Sequence, residues 1–266
     1  MGRLAILGGA GLLPVMVQKH HPDALAIGFE GMPTDLLDAT TVAFEHMGGL
    51  FETLTAAGVD RVCMVGGLSR PNLDPSRFDE GMRQIAPRLM QAMAGGDDGL
   101  LREIIALFAE HGFETVGAHR LVPEITASAG VLTQAQPSDA DFADIARADA
   151  ILRALSPVDV GQAVVVEGGL CIGIETIQGT DALLAMVKET PDHLRRAKGV
   201  LVKRPKVGQD LRVDMPTIGV ATVQNASDAG LAGIALTPGE VLLLDQKAIV
   251  RKADALGLFL IARDPA

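Results

Sequence analysis

Tryptophan and tyrosine are absent from the 266 residues and phenylalanine occurs only 8 times, so the core has to be built from aliphatic side chains. The same shortage removes the stacking platforms on which single-stranded nucleic-acid binders depend. Basic residues are scarce too: 23 Lys and Arg stand against 33 Asp and Glu, a formal net charge of −10 that repels a polyphosphate backbone. Nucleic acid is therefore not expected as a partner. Cysteine is nearly missing. Cys63 in RVCMVGG and Cys171 in GLCIGIE sit in apolar, strand-like runs with no CxxC and no zinc spacing, and both are expected as buried free thiols in a reducing cytoplasm. No apolar stretch has the length of a membrane span, and the opening MGRLAILGGAG is too short and lacks the cleavage pattern for a signal peptide. GxSxG, HExxH, a Walker loop and the HxD pattern of dinuclear phosphoesterases are also missing, which argues against those four hydrolase classes.

What is present is an apolar share of 48% with 30 Gly and 14 Pro, enough to build a real core. Short apolar runs alternate with helical-period segments, the pattern of an α/β protein. RLAIL from Arg3 reads as a first strand, LLPVMVQKH as a helix with Pro14 in its first turn, and ALAIGFE as a second strand. A helix over Leu50 to Ala57, the strand RVCMV, and an amphipathic helix GLLREIIALFAEHG closed by Gly112 complete a doubly wound, Rossmann-like unit. Between Leu121 and Asp141 the apolar period lapses, and the length favours two domains, so residues 1–128 are read as one and 129–266 as the other. The second opens with Ser138 capping a helix. QAVVVEGG and LCIGIET follow as two buried strands joined at Gly168-Gly169, a hairpin signal that implies a mixed sheet.

The turn GGAGLLP carries Gly9-x-Gly11 after a strand, so backbone N–H groups at a helix start can face a phosphate. The third glycine of a dinucleotide fingerprint falls on Pro14, although Glu30 stands where a ribose-binding acid would. A nucleotide-facing loop and a plain tight turn both remain open. KRPKVGQDLRVDMPTIG, residues 203–219, is a polar loop at a strand end, where sites collect. From Arg195 to Arg212 the chain holds seven basic residues, Lys203, Lys206 and Arg212 among them, against the single acid Asp210, with Gln209 and Asp214 embedded nearby. That segregation in an acidic chain points to an anionic ligand, with a solvated basic face as the alternative. Glu167, Glu175, Asp181 and Asp214 sit at strand or helix ends beside it. Such oxygens suit Mg²⁺ bridged to phosphoryl groups, so Asp214, Glu175 and Asp181 are the candidate metal ligands. Asp181 or Thr180 can equally serve as a helix cap, and His119 in GAHRLVPE reads more readily as structural than catalytic.

Taken in order, GGAGLLP, GLSRPN, GDDGLLR, GFETVGAH, VVVEGG, QGTDALL and KRPKVGQDLRVDMPTIGVAT resemble the LpxI-type UDP-2,3-diacylglucosamine pyrophosphatases over nearly the whole chain. The resemblance implies two α/β domains with the ligand between them, and Mg²⁺-dependent hydrolysis (Mn²⁺ as a substitute) of an acylated UDP-sugar to UMP and 2,3-diacylglucosamine 1-phosphate in lipid A biosynthesis. Its critical aspartate corresponds to Asp214. Substrate contacts are expected at Gly9, Gly11, Leu12, Ser69, Arg70, Gly179, Thr180, Lys203, Lys206, Gln209, Arg212 and Thr217. The family pattern has Glu where this chain has Gln178 and Lys where it has Gly49, so neither position is assigned a role. Transient contact with the cytoplasmic face of the inner membrane is expected from the substrate class, and a homodimer is compatible with it. A nicotinamide-dependent oxidoreductase using Gly9, Gly11 and Glu30, and a non-catalytic nucleotide-sugar binder, are the alternatives.

Overall fold

RLAILG buries every residue after Arg3 and forms β1 (Arg3–Gly8), followed by α1 (Leu12–His20), β2 (Leu25–Phe29) and β3 (Thr40–Val42). Then come α2 (Met47–Ala56), β4 (Val59–Val65), α3 (Glu80–Ala94), α4 (Asp97–Glu110), β5 (Glu114–Thr115) and the short α5 (Ala118–Leu121). The strands form one sheet in the order β3-β2-β1-β4-β5 with every pair parallel, the doubly wound order. This computed structural model describes residues 2–69, 71–94 and 97–265. Its contacts divide the chain into two units, one of Met1–Pro123 with Arg212–Asp214, the other of Glu124–Leu211 with Met215–Ala266.

The first unit's core sets Ala5, Leu7, Ile27 and Val62 on the sheet against Leu50 and Leu54 of α2 and Phe108 of α4. Phe51 meets the Phe108 ring edge-on at 5.3 Å, one of the few places where the scarce aromatics pair. Cys63 is fully buried in β4, and burial pushes its thiol up to about 12, so it stays protonated and inert. The helix α3 was not expected, because Pro87 interrupts its pattern. It is held at its start by Asp79, whose carboxylate accepts from Met82 N–H at 2.6 Å and, on α2, from Gly49 N–H at 3.0 Å. One side chain thus caps two helices, and a methyl group at Gly81 would lie 2.5 Å from Gly48 Cα, so their starts meet glycine to glycine.

In the second unit β6 (Gly130–Val131) leads to α6 (Asp139–Leu155), opened by the capping box of Ser138 and Asp141 that the sequence suggests. β7 (Ala163–Glu167), β8 (Leu170–Ile174), α7 (Gly179–Lys188), β9 (Val200–Lys203) and β10 (Thr217–Ile218) follow. The chain ends through α8 (Val220–Asp228), β11 (Gly233–Leu236), β12 (Leu242–Leu243), α9 (Gln246–Leu256) and β13 (Phe259–Ala262). The mixed sheet runs β6-β13-β11-β9-β7-β8, and β10 pairs with β12 separately. Its main core is aliphatic, with Val165, Leu184, Leu201, Leu236, Ile249 and Leu260 all essentially inaccessible.

The hairpin turn at Gly168-Gly169 needs positive φ at both residues, 53° and 80°, which only glycine adopts freely. Asp144, buried on α6, clamps it by accepting Gly168 N–H at 2.8 Å and Gly169 N–H at 2.7 Å. The expectation of two buried strands holds for β7 alone. β8 is the edge strand and exposes Leu170 and Cys171, so the Cys171 thiol is exposed rather than buried.

The double cap has a measurable consequence. Burial alone would raise the Asp79 carboxyl, but the N–H groups of Met82, Gly49 and Gly48 and the neighbouring His46 outweigh it and hold the group below its ordinary range. A lowered folded pKa gives stability that is present above the unfolded value and lost as pH falls through the folded one. Asp79→Ala is expected to cost about 1–2 kcal/mol in urea unfolding at pH 7, the usual worth of a cap, and less when wild type and variant are compared near pH 2. An equal loss at both pH values would show that the carboxylate charge plays no part.

Candidate functional site

In a doubly wound sheet the loops leaving the carboxyl ends of the strands surround the ligand crevice, at the point where the strand order reverses. Here that point lies between β1 and β4. Their two loops pair with each other: Gly9 N–H donates to Val65 O at 2.9 Å, and Ala10 and Gly67 exchange hydrogen bonds at 3.0 and 2.9 Å. A side-chain carbon at Gly9 would meet Gly67 O at 2.3 Å, so this glycine is required by the packing of loop on loop. Gly11 caps α1 at φ 107° and its N–H is given to Asp35 Oδ2 at 2.9 Å, so the donor a phosphate would use already serves a carboxylate. Glu30 is bound by Arg77 at 2.6 Å. Both groups on which a nicotinamide-dependent reading would rest are therefore engaged within the protein. Leu12 is 62% exposed at the start of α1, and Ser69 donates to Met32 Sδ at 3.3 Å. Arg70 lies outside the described residues, as do Gly96 and the side chains of Asp97 and Asp98 in GDDGLLR.

The carboxyl end of β5 shares this edge. Gly117 and His119 follow it, and the segment Arg212–Asp214 belongs to the same unit, with Arg212 Cα beside Gly117. Asp214 is half-buried there. Burial, and then the charge of Arg120, lowers the His119 pKa from its ordinary value.

In the second unit β8, β9, β11 and β13 run in one direction, so Glu175, Lys203 and Thr237 follow strands that finish at one edge. The Lys203 ammonium donates to Thr180 Oγ1 at 2.6 Å and Thr180 Oγ1 donates to Glu175 Oε1 at 2.6 Å, with Lys203 Nζ and Glu175 Oε1 3.9 Å apart. Glu175 Oε2 accepts from Gln162 N–H at 3.1 Å. Glu175 and Lys203 are both buried. Gly179, at φ 84°, opens α7 just before Thr180, and Asp181 accepts from Asn225 of α8 at 2.9 Å. Gln209 Oε1 accepts the Lys206 N–H at 2.8 Å, and the Lys206 ammonium pairs with Asp159. A cleft of about 250 Å³ opens here, lined by Arg204, Lys206, Gln209, Leu211, Thr237 and Glu240. Thr217 begins β10, its hydroxyl donating to Met215 O at 3.2 Å.

Three readings from the sequence change in the fold. Glu167 lies at the opposite edge from Glu175, because a hairpin's strands are antiparallel and their last residues finish at opposite edges. It binds Arg195 at 2.6 Å and the N–H groups of Arg196 and Ala197 at 2.5 and 3.2 Å, tying down the approach to β9. The run of seven basic residues is divided by that same strand: Arg195, Arg196 and Lys198 precede β9, Lys203, Arg204 and Lys206 lie at or beyond its far end, and Arg212 is grouped with the first unit. Arg204 is itself buried, paired with Asp149 and donating to Thr237 Oγ1 at 3.1 Å and Arg263 O at 2.7 Å. Glu175 is a poor cation ligand as it stands, since its oxygens accept from Thr180 and Gln162 and face an ammonium. Asp35, Asp159 and Asn225 complete these contacts from distant parts of the chain. No local motif marks them.

Residues 3–125 match the LpxI N-terminal domain and residues 128–261 the LpxI C-terminal domain. The chain belongs to the LpxI family. Over 276 aligned residues it is 38% identical to the UDP-2,3-diacylglucosamine pyrophosphatase LpxI of Caulobacter vibrioides, with 100% of this chain and 99% of that relative covered. The two LpxI domains meet in sequence close to where the structural units divide, between Pro123 and Glu124.

Within this LpxI-family chain the buried Lys203–Thr180–Glu175 arrangement makes a quantitative demand. Removing one partner of a buried ion pair strands the other, which typically costs about 3–5 kcal/mol. Lys203→Met is expected to lose stability on that scale in denaturant unfolding, with at least about half regained in Lys203→Met/Glu175→Gln, where no charge is left unpaired. A single-variant loss below about 1 kcal/mol would mean that Lys203 is not held by this pair.

Proposed function

We propose that this chain hydrolyses the pyrophosphate bond of UDP-2,3-diacylglucosamine, releasing UMP and 2,3-diacylglucosamine 1-phosphate, a step of lipid A biosynthesis. The observation that carries the reading is the end-to-end similarity to the Caulobacter pyrophosphatase, which includes both LpxI domains. Pyrophosphate hydrolysis needs neutralisation of the developing phosphoryl charge, oriented donors and a positioned water.

Asp214 is the residue on which the chemistry is placed. It lies in RVDMPTIG and is grouped with the unit whose parallel sheet ends at the switch point. There it would hold Mg²⁺ or orient the attacking water. Among the described residues no three His, Cys, Asp or Glu side chains gather into a cation cage. That donor set fits an ion held by one or two carboxylates together with substrate phosphates, the usual manner of Mg²⁺. Bound in that way, Mg²⁺ would neutralise phosphoryl oxygens. Asp181, exposed at the start of α7, is a second carboxylate able to contribute an oxygen. Arg212 and Lys206 would bind the anionic substrate, Lys206 by exchanging its exposed partner Asp159 for a phosphoryl oxygen. The other substrate contacts assigned are Gly9, Gly11, Leu12, Ser69, Arg70, Gly179, Thr180, Lys203, Gln209 and Thr217.

No helix among the described residues is long and apolar enough to cross a membrane. A diacylated substrate places the enzyme on the cytoplasmic face of the inner membrane as a peripheral protein. Assay with UDP-2,3-diacylglucosamine, followed by mass spectrometry for UMP and a diacylated sugar phosphate, tests the reading directly. Intact substrate after prolonged incubation with Mg²⁺ present would reject it.

Asp214→Ala is expected to lower kcat by about two to three orders of magnitude, the scale for losing one key electrostatic group, with the fold intact. Retention of more than about a tenth of the activity would remove Asp214 from this role. Exhaustive EDTA treatment is expected to abolish turnover, and Mg²⁺ or Mn²⁺ to restore it. Full activity in EDTA would exclude a divalent ion from the mechanism.

A further inference from the structure

His119 lies in the short helix α5 that follows β5, at the edge of the first sheet where the chemistry of Asp214 is placed. A side-chain carbon at Gly117 would lie 2.5 Å from His119 Cε1, 2.7 Å from its Nδ1 and 3.1 Å from Arg212 Cα. Glycine is therefore needed at 117 for the imidazole and the backbone of the Arg212–Asp214 segment to close on the same spot. The ring is half-buried, but its Nδ1 is fully buried and has no hydrogen-bond partner among the described residues.

An orphaned buried N–H is among the rarest states in folded proteins, whereas an unused acceptor lone pair is tolerated more often. The proton therefore belongs on the other nitrogen, giving the neutral tautomer with Nδ1 bare and the proton on Nε2. A doubly protonated ring would leave an N–H unsatisfied in the same buried place. Burial and the adjacent Arg120 act in the same direction, lowering the pKa. An imidazole fixed in this form is a hydrogen-bond donor and a poor proton acceptor. With Arg120 next to it in sequence and the Arg212 backbone packed nearby, the acceptor that suits it is an anionic oxygen.

We propose that His119 is a ligand-binding residue of this site, its neutral ring donating Nε2–H to a phosphoryl oxygen of the substrate. The proposal rests on the pyrophosphatase reading and on the placement of its chemistry at Asp214.

Glutamine places an amide nitrogen near the position of histidine Nε2, and asparagine near that of Nδ1, so the two replacements separate the roles of the nitrogens. His119→Gln is expected to keep kcat/KM within about threefold of wild type, while His119→Asn and His119→Ala fall at least about tenfold, the loss of one charge-assisted hydrogen bond. If glutamine is as damaging as alanine, a donor at the Nε2 position does not replace the ring and the proposal fails. It fails equally if all three variants match wild type, or if activity falls only in step with thermal stability. Nitrogen NMR of the full-length chain with its 6 histidines labelled, using His119→Gln to identify the signal, is expected to show neutral Nε2–H in the free protein and a shift of that signal on adding UMP. An Nδ1–H form, or no response to UMP, would overturn the assignment without reference to turnover. A wild-type chain that leaves UDP-2,3-diacylglucosamine intact while the His119 signal responds to UMP would reject the pyrophosphatase reading and leave the anion contact standing.

Discussion

Parallel strands cannot be joined by a tight turn, so the chain must cross back over the sheet, usually through a helix, and each crossing delivers the next strand end to the same edge. This constraint organises both units. In the first it gathers the glycine loops after β1 and β4 and the Gly117–His119 turn after β5 along one edge. In the second it brings Glu175, Lys203 and Thr237 to the ends of β8, β9 and β11, although they are up to 62 residues apart in sequence. The tight hairpin from β7 to β8 has the opposite effect and sends Glu167 to the far edge. Proximity along the chain is thus a poor guide to which acids share a site, whereas strand direction decides it.

Charge in the second unit is organised by the same geometry. Four basic groups near the sheet are each met by a particular acceptor: Arg195 by Glu167, Arg204 by Asp149, Lys203 by Thr180 and Glu175, Lys206 by Asp159. These pairs differ in what they can release. Arg204 and Asp149 are both buried, and Arg204 has two further oxygen acceptors, so separating them would strand a charge in the core. Lys206 and Asp159 are partly exposed, with side-chain exposures of 24% and 55%, and a surface pair of that kind contributes at most about 1 kcal/mol. An incoming anion can therefore take Lys206 at small cost, and cannot take Arg204.

Much of the architecture was legible in the sequence because it rests on local signals. The apolar runs that became β1, β2, β4, β7, β9, β11 and β13, the Ser138 cap and the Gly-Gly hairpin all depend on residues within a few positions of one another. The exposure of Cys171 was not legible, since it follows from β8 being an edge strand, which is a property of sheet order. Nor was α3, where Pro87 masks the helical period although its capping acid, Asp79, stands immediately before it. The candidate site was legible in its residue types and in the segment 203–219. The partners that decide what each residue is free to do, Asp35 at Gly11 and Asp159 at Lys206, come from elsewhere in the chain and carry no motif.

The glycine turn shows why fold and function have to be argued separately. GGAG after β1 has the appearance of a phosphate loop and sits at the switch point of a doubly wound sheet, where dinucleotide enzymes bind their cofactor. Yet Gly9 is required by the approach of Gly67, Gly66 by the approach of Ala10 O at 2.8 Å, and the Gly11 N–H is capped by Asp35. The loop has been spent on joining β1 to β4. The N–H groups of Gly9, Ala10, Gly67 and Gly11 are all engaged within the protein, so an anion arriving at this edge draws on side chains carried by neighbouring segments as well. Two parts of this unit that reach the same edge and can supply them are the short helix α5, which bears His119, and the segment from Arg212 to Asp214.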